Sequence, residues 1–233
     1  MKLLSDSDYK DLKATDNRAL ISFVNPYSYY EIKDNERLSR EFHGFFSDGS
    51  LLCLLNNFFN ENKIERISFD YSSIANDFLS YCEESDLTVS ILGAKQDELS
   101  KTIVIFKDKY PKLKLGYCRN GYFSNDEFEG IMLSLKSSDV VIVGMGAPTQ
   151  EEIAARIFKE NNHRLVITCG GFITQTSIKE DYYHPIIKKL GLRWLQRIVM
   201  HKHVRDKVLS KYPSFIVRYI KENVSSNRFF NLL

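Results

Sequence analysis

The sequence predicts an α/β fold with a largely parallel sheet, and two observations predict it. Short apolar, β-branched runs recur along the 233 residues at Ala19–Val24, Leu87–Leu92, Asp139–Val143 and Arg164–Thr168, with Lys112–Tyr117 a weaker one. Their near-continuous apolar character is that of strands covered on both faces. Longer stretches with helical spacing lie between them, and strand–helix alternation marks a parallel sheet whose crossovers are helices.

In chain order, Leu51–Phe59 is an apolar helix. Asp97–Lys109 carries Leu99, Ile103 and Phe106 at helical spacing and stops at Tyr110-Pro111. Thr149–Lys159 carries Ile153, Ala154, Ile157 and Phe158 in the same way. From about His184 helical periodicity dominates, with basic residues interleaved. Ile186, Ile187, Leu190, Trp194, Leu195 and Ile198 make one apolar stripe, Pro213 breaks the run and Phe215–Ile220 resumes it. The expected division is an α/β body over 1–182 and a basic helical C-terminal appendage over 183–233.

Apolar residues at 43% are enough for the core of one sizeable domain. The net charge of +2 conceals an asymmetry: Lys188–Glu222 carries +8 and the rest of the chain −6. A basic tail on an acidic body suits an anionic partner, membrane or nucleic acid, or else is a solvated helix face. The cysteines (Cys53, Cys82, Cys118, Cys169) are widely spaced with no C-x-x-C, so they carry no zinc or redox signature and read as buried, reduced thiols of a cytosolic protein. The opening MKLLSDSDYKDL is too acidic for a signal peptide. No stretch approaches the roughly 18–20 apolar residues of a membrane span, so membrane contact is expected to be peripheral.

Ligands of open α/β sheets bind beyond the carboxyl ends of the strands. Three such ends are glycine-rich: Leu92-Gly93-Ala94, Val143-Gly144-Met145-Gly146-Ala147-Pro148-Thr149-Gln150-Glu151, and Thr168-Cys169-Gly170-Gly171-Phe172. Glycines admit a phosphate to the backbone, and a following helix N-terminus offers it N–H groups. Pro148 suits a first helical turn, and Thr149 with Glu152 has capping-box spacing. The same pattern is also that of ordinary tight turns, and Glu151 on that first turn also fits a residue complementing the helix dipole. In Ser47-Asp48-Gly49-Ser50, Asp48 or Ser50 reads first as an N-cap; the alternative is a carboxylate at the sheet mouth acting as general base. Arg66 reads as a surface arginine. The five histidines show no metal-ligand pattern, and Asp6–Asp8, a D-x-D ahead of the first strand, reads as a helix cap.

Taken together and in order, Asn25, Ser47-Asp48-Gly49, Arg66, Leu92-Gly93, Tyr110-Pro111 with Gly121-Tyr122-Phe123, Gly144–Glu151 (GMGAPTQE) and Gly191-Leu192-Arg193-Trp194-Leu195-Gln196-Arg197 resemble the WecG/TagA/CpsF glycosyltransferases over about 18–221. The resemblance implies a Rossmann-like core and an inverting, metal-independent transfer from a UDP-sugar to a polyprenyl-diphosphate-linked saccharide. The setting would be bacterial exopolysaccharide, capsule, O-antigen or teichoic acid assembly on the inner face of the cell membrane. It implies self-association, and a tail that contacts an anionic membrane surface and completes the active site.

By the same resemblance Asp48 is the general base, with Asn25 and Arg66 beside it. The nucleotide-sugar would meet Gly93, Tyr122, Gly144, Gly146, Ala147, Pro148, Gln150, Glu151, Gly170, Gly171 and Phe172. Arg193, Arg197 and Arg205 of the tail would face the diphosphate or the acceptor. No cofactor is expected beyond the donor substrate. Some positions depart from the family pattern: Phe23-Val24-Asn25 lacks its hydroxyl, Tyr183-His184-Pro185 replaces R-A-P, His201-Lys202 replaces E-P, and Cys169–Thr176 replaces G-x-x-F-D. These departures bear on donor and acceptor more than on reaction class.

The competing enzyme reading is an NAD(P)-dependent oxidoreductase using the Gly144–Gly146 turn. That turn lies late in the chain, lacks the third glycine of the dinucleotide fingerprint, and has no clear ribose-binding acid about 20 residues on. Nucleic acid is not expected as a partner, because the body carries no recognised nucleic-acid motif.

Overall fold

A computed structural model describes residues 1–178 and 202–230. Among them, strands β1 (Ala19–Val24), β2 (Gly44–Ser47), β3 (Thr88–Gly93), β4 (Lys114–Arg119), β5 (Val140–Gly144) and β6 (Leu165–Thr168) form one sheet in the order β2-β1-β6-β5-β3-β4. Every pairing is parallel, as the near-continuous apolar runs predict. The helices are α1 (Asp6–Ala14), α2 (Tyr29–Lys33), α3 (Glu36–Glu41), α4 (Ser50–Phe59), α5 (Ala75–Glu84), α6 (Gln96–Lys109), α7 (Asn125–Leu135), α8 (Thr149–Glu160), α9 (Phe172–Ile178) and α10 (Lys202–Phe230).

Successive strand residues point to opposite faces, so each strand feeds two cores. Ile21, Phe23, Val89, Ile91, Ile142 and Ile167 face one, covered by α5, α6 and α9 through Phe78, Leu79, Leu99, Phe106 and Phe172. Leu20, Val24, Leu92, Val141, Val143 and Val166 face the other, covered by α2, α4, α7 and α8 through Ile32, Leu52, Phe128 and Ala154. This is the Rossmann-like α/β layering that the sequence predicts.

One strand is absent from the sequence reading. In β2 only Phe45 and Phe46 are large and apolar, too few for a periodic signal, yet all of Gly44–Ser47 is buried. Its outer edge is closed by the start of the chain: Phe45 N–H donates to the Lys2 carbonyl and Leu4 N–H to the Phe45 carbonyl, each at 2.9 Å. Gly44 is small because Leu4 lies over it; a methyl group there would come within 2.4 Å of Leu4 Cδ2.

The tail corrects a second expectation. Pro213 does not break the helical run but sits inside the continuous α10. A missing N–H costs one backbone hydrogen bond, and tertiary docking just beyond it offsets the loss. Phe215 and Tyr219 are 1% and 3% exposed, packed edge-on against Tyr29 at 5.6 Å each. These two side chains therefore pack on the body, not on a bilayer. Tyr219 also donates to Asn56 Oδ1 on α4. Arg218 makes a bidentate pair with Asp34, both contacts 2.7 Å, and a third contact to Glu222, so its charge is largely neutralised by protein carboxylates. Trp194 and the apolar stripe 186–198 lie outside the described residues.

Candidate active site at the carboxyl edge of the sheet

The strand order places four loop starts side by side along one edge: Asp48 after β2, Asn25 after β1, Cys169-Gly170 after β6 and Met145-Gly146 after β5. The glycines of these ends divide into two kinds. Gly93 and Gly144 are packing residues: a methyl group on Gly93 would lie 2.2 Å from the Gly144 carbonyl oxygen, and one on Gly144 would lie 2.7 Å from Cys169 Sγ. Close packing between strands thus excludes a side chain at both positions. Gly146 and Gly170 are the open ones, with φ of +81° and +55° and, chain neighbours aside, no atom of the described residues within 4 Å of where a side chain would start. Gly170 and Gly171 N–H groups have no acceptor among the described residues.

The first turn of α8 differs from its expected form. Pro148 is the N-cap, the Thr149–Glu152 capping box does not form, and no side chain caps the helix. The N–H groups of Gln150, Glu151 and Glu152 turn inward to the carbonyls of Gly146 and Pro148. Ala147 and Thr149 N–H have no acceptor among the described residues, so they are the amides this turn can offer an anion. Pro148 is exposed and Ala147 half-buried.

Gln150 and Glu151 are not surface residues of that turn. They are 3% and 0% exposed. Gly146 N–H donates to Gln150 Oε1 at 3.2 Å, Gln150 Nε2 donates to Glu151 Oε1 at 2.8 Å, and Ser22 Oγ donates to the same oxygen at 2.8 Å. Ser22 in turn pairs with Thr168 Oγ1 at 2.8 Å. Burial dominates the Glu151 carboxyl and pushes it up to about 7. Phe172 is likewise a core residue, packed with Phe69, Tyr71 and Phe106. Tyr122 is 70% exposed, on the loop after β4.

Asp48 is not an N-cap; Gly49 holds that place in α4. Gly49 is needed because Pro26 packs on it, within 2.7 Å of where a methyl group would sit. Asp48 Oδ1 instead accepts from Arg66 Nη2 at 2.9 Å, and the same nitrogen donates to Asp70 Oδ2 at 3.1 Å. Arg66 is thus a half-buried bridge between two carboxylates, not a surface arginine. Its segment is fixed to the sheet by Ile67 N–H on the Ser47 carbonyl. Burial pushes the Asp70 carboxyl up, but the Arg66 charge with hydrogen bonds from Ser72 and Ser68 outweighs it and holds the group below the usual carboxylate range. Asn25 Oδ1 accepts from the Tyr27 and Ser28 N–H groups, so its side-chain carbonyl shapes the β1–α2 turn.

Asp70, Ser22 and Thr168 are the site residues that sequence reasoning missed. Ser22 and Thr168 were visible as polar interruptions of apolar strands, and Asp70 stands four residues beyond Arg66. Asp8 of the D-x-D closes a capping box with Ser5, as read from sequence. No group of three or more metal-ligating side chains exists among the described residues. Arg193 and Arg197, and the side chain of Arg205, lie outside them. No described helix is long and apolar enough to cross a membrane.

The edge thus combines a positioned carboxylate, a half-buried guanidinium and two open glycine turns with outward amides, an arrangement suited to proton abstraction beside a bound anion. Residues 7–229 match the glycosyl transferase WecG/TagA/CpsF family. A Shigella boydii protein, "UDP-Gal:alpha-D-GlcNAc-diphosphoundecaprenol beta-1,4-galactosyltransferase", is 43% identical over 88% of this chain and 87% of its own length. A Bacillus subtilis protein, "N-acetylglucosaminyldiphosphoundecaprenol N-acetyl-beta-D-mannosaminyltransferase", is 22% identical over 98% of this chain and 90% of its own.

Proposed function

This chain belongs to the WecG/TagA/CpsF family of glycosyltransferases, and from that premise we propose that it moves a hexose from a UDP-sugar, with inversion and without a metal, onto a polyprenyl-diphosphate-linked sugar. The relative at 43% identity suggests UDP-galactose as the donor and an N-acetylglucosaminyl diphospholipid as the acceptor. UDP-galactose is α-linked, and a β product from it requires inversion in a single displacement. The family assignment also sets aside the oxidoreductase reading of the Gly144–Gly146 turn.

The observation that carries the proposal is the Asp48–Arg66–Asp70 constellation on the same edge as the open turns at Gly146 and Gly170. Asp48 removes the proton of the acceptor hydroxyl as its oxygen attacks the anomeric carbon. Arg66 orients that carboxylate through Oδ1 and is itself fixed by Asp70. The departing UDP gathers negative charge on its diphosphate. The amides of Gly170, Gly171, Ala147 and Thr149, the positive end of α8 and the arginines of the tail meet that charge in place of a divalent cation.

The acceptor's lipid places the work at a membrane surface, and the tail is the contact we propose for it, from the inner face. Phe215 and Tyr219 pack on the body and Arg218 is ion-paired, so the bilayer-facing set within 210–225 is Val217, Ile220, Lys221 and Val224, all exposed.

The test is UDP release from a panel of UDP-sugars, with N-acetylglucosaminyl-diphosphoundecaprenol as acceptor and EDTA throughout. Release that needs UDP-galactose and the lipid supports the reading. Release only after a divalent cation is restored removes the metal-independent part, and release with a different donor replaces the sugar.

A further inference from the structure

Glu151 is a fully buried carboxyl group with no place in the chemistry above. Its Oε1 takes two donors, Gln150 Nε2 and Ser22 Oγ, while Oε2 has no partner among the described residues. A primary carboxamide such as that of Gln150 can present its oxygen or its nitrogen in a given direction, at equal steric cost. An acceptor at Glu151 Oε1 breaks that symmetry. It draws Nε2 inward, and only then does Oε1 face the Gly146 N–H. Ser22 anchors the same oxygen to β1, and its hydroxyl is paired in turn with Thr168 of β6. The left-handed Gly146 turn is thereby tied to the ends of β1 and β6 as well as to β5.

We propose that Glu151 is a positioning residue: it fixes the orientation of the Gln150 carboxamide, which holds the Gly146 N–H and sets the turn that receives the donor diphosphate. This rests on the reading of that turn as the donor site. The brace itself does not need a charge on Glu151. A neutral carboxyl keeps Oε1 as an acceptor, and so does a glutamine.

The experiment is amide hydrogen exchange at Gly146, with UDP affinity measured on the same samples, for wild type, Glu151→Gln, Glu151→Met, Gln150→Ala and the double variant Gln150→Ala/Glu151→Met. Glu151→Met and Gln150→Ala should each speed exchange at Gly146 and weaken UDP binding by about tenfold, the scale of one lost hydrogen bond. The double variant should be no worse than either single one. Glu151→Gln should stay near wild type. In turnover the loss should fall on KM for the donor with kcat little changed. Unchanged Gly146 exchange in Glu151→Met, or losses that add in the double variant, would overturn the proposal. A reading that needs no variant stands beside these: the Gln150 side-chain amide protons of the wild type should exchange slowly in a single orientation, and fast exchange or two orientations would refute the brace. Gly146 and Gln150 exchange decide the brace, and UDP affinity of the wild type decides the donor reading beneath it.

Discussion

Asp48 shows how one residue type at one place can be read two ways. Asp-Gly before an apolar helix is an N-cap by local rules, and Gly49 takes that place because Pro26 leaves no room for a side chain. The carboxylate is left for Arg66. If it is the base, Asp48→Asn should keep the fold and UDP affinity while losing roughly 10²–10⁴-fold in turnover; near wild-type turnover would remove it from the mechanism. Glu151 gives a second residue-scale expectation, in stability. Its carboxyl ionises near 4.5 when unfolded and near 7 when folded. Stability from the neutral buried form is therefore complete below about pH 4.5 and is lost as pH rises through 7, by on the order of 3 kcal/mol. Glu151→Gln should flatten that decline in denaturant melts between pH 5 and 8; a parallel decline in both proteins would show that the group is not the source. The glycine turns were legible because strand ends and turn residues have local signatures; for Asp48 the local signature pointed first to an N-cap, and the family resemblance decided for a base. Ser22, Thr168 and Asp70 were not legible, because what pairs them is sheet order and loop packing between residues as far apart as 146 positions.

The strands and helices with strong periodicity were legible almost to their ends: β1 and α4 match to within a residue, and β5 and β6 begin one residue late. Where reading failed, tertiary contacts outweighed local preference. β2 is held by burial and by the Lys2–Leu4 segment, and Pro213 is tolerated because the next turn of α10 is docked. That docking is measurable. Phe215→Ala should cost about 3–5 kcal/mol by removing a buried ring, whereas Arg218→Ala, with its half-exposed ion pairs, should cost about 0–1 kcal/mol; urea melts that rank them the other way would contradict the packing described. The opposite side of the same helix carries the membrane expectation. Replacing Val217, Ile220 and Val224 together by serine should reduce liposome co-sedimentation while leaving the melting temperature near wild type. Unchanged sedimentation would rule that face out as the contact.

Across the whole molecule, the sheet order is what turns scattered motifs into one site. Asp48, Asn25, Gly170 and Gly146 come from loops spread over more than a hundred residues, and no local pattern predicts that β6 inserts between β1 and β5. Fold class was legible because it depends on alternation alone; strand order was not, because it depends on which apolar faces fit. The charge asymmetry was also legible, although within the described tail Arg218 is matched by Asp34 and Glu222, and Lys211 by Glu31. Removing residues beyond about 190 would therefore also strip Phe215 and Tyr219 from the second core, and loss of activity in such a truncation would report folding as much as membrane contact. The closure of β2 by Lys2–Leu4 has a consequence at the other terminus. An uncovered parallel edge is a template for a second chain. A protein lacking its first four residues should form concentration-dependent assemblies by light scattering, and the edge laid bare at Phe45 belongs to the strand just before Asp48. A monodisperse truncation at high concentration would show that the edge is protected by other means. Purification tags are thus safer after a linker that leaves Lys2–Leu4 free to pair than when fused directly ahead of them.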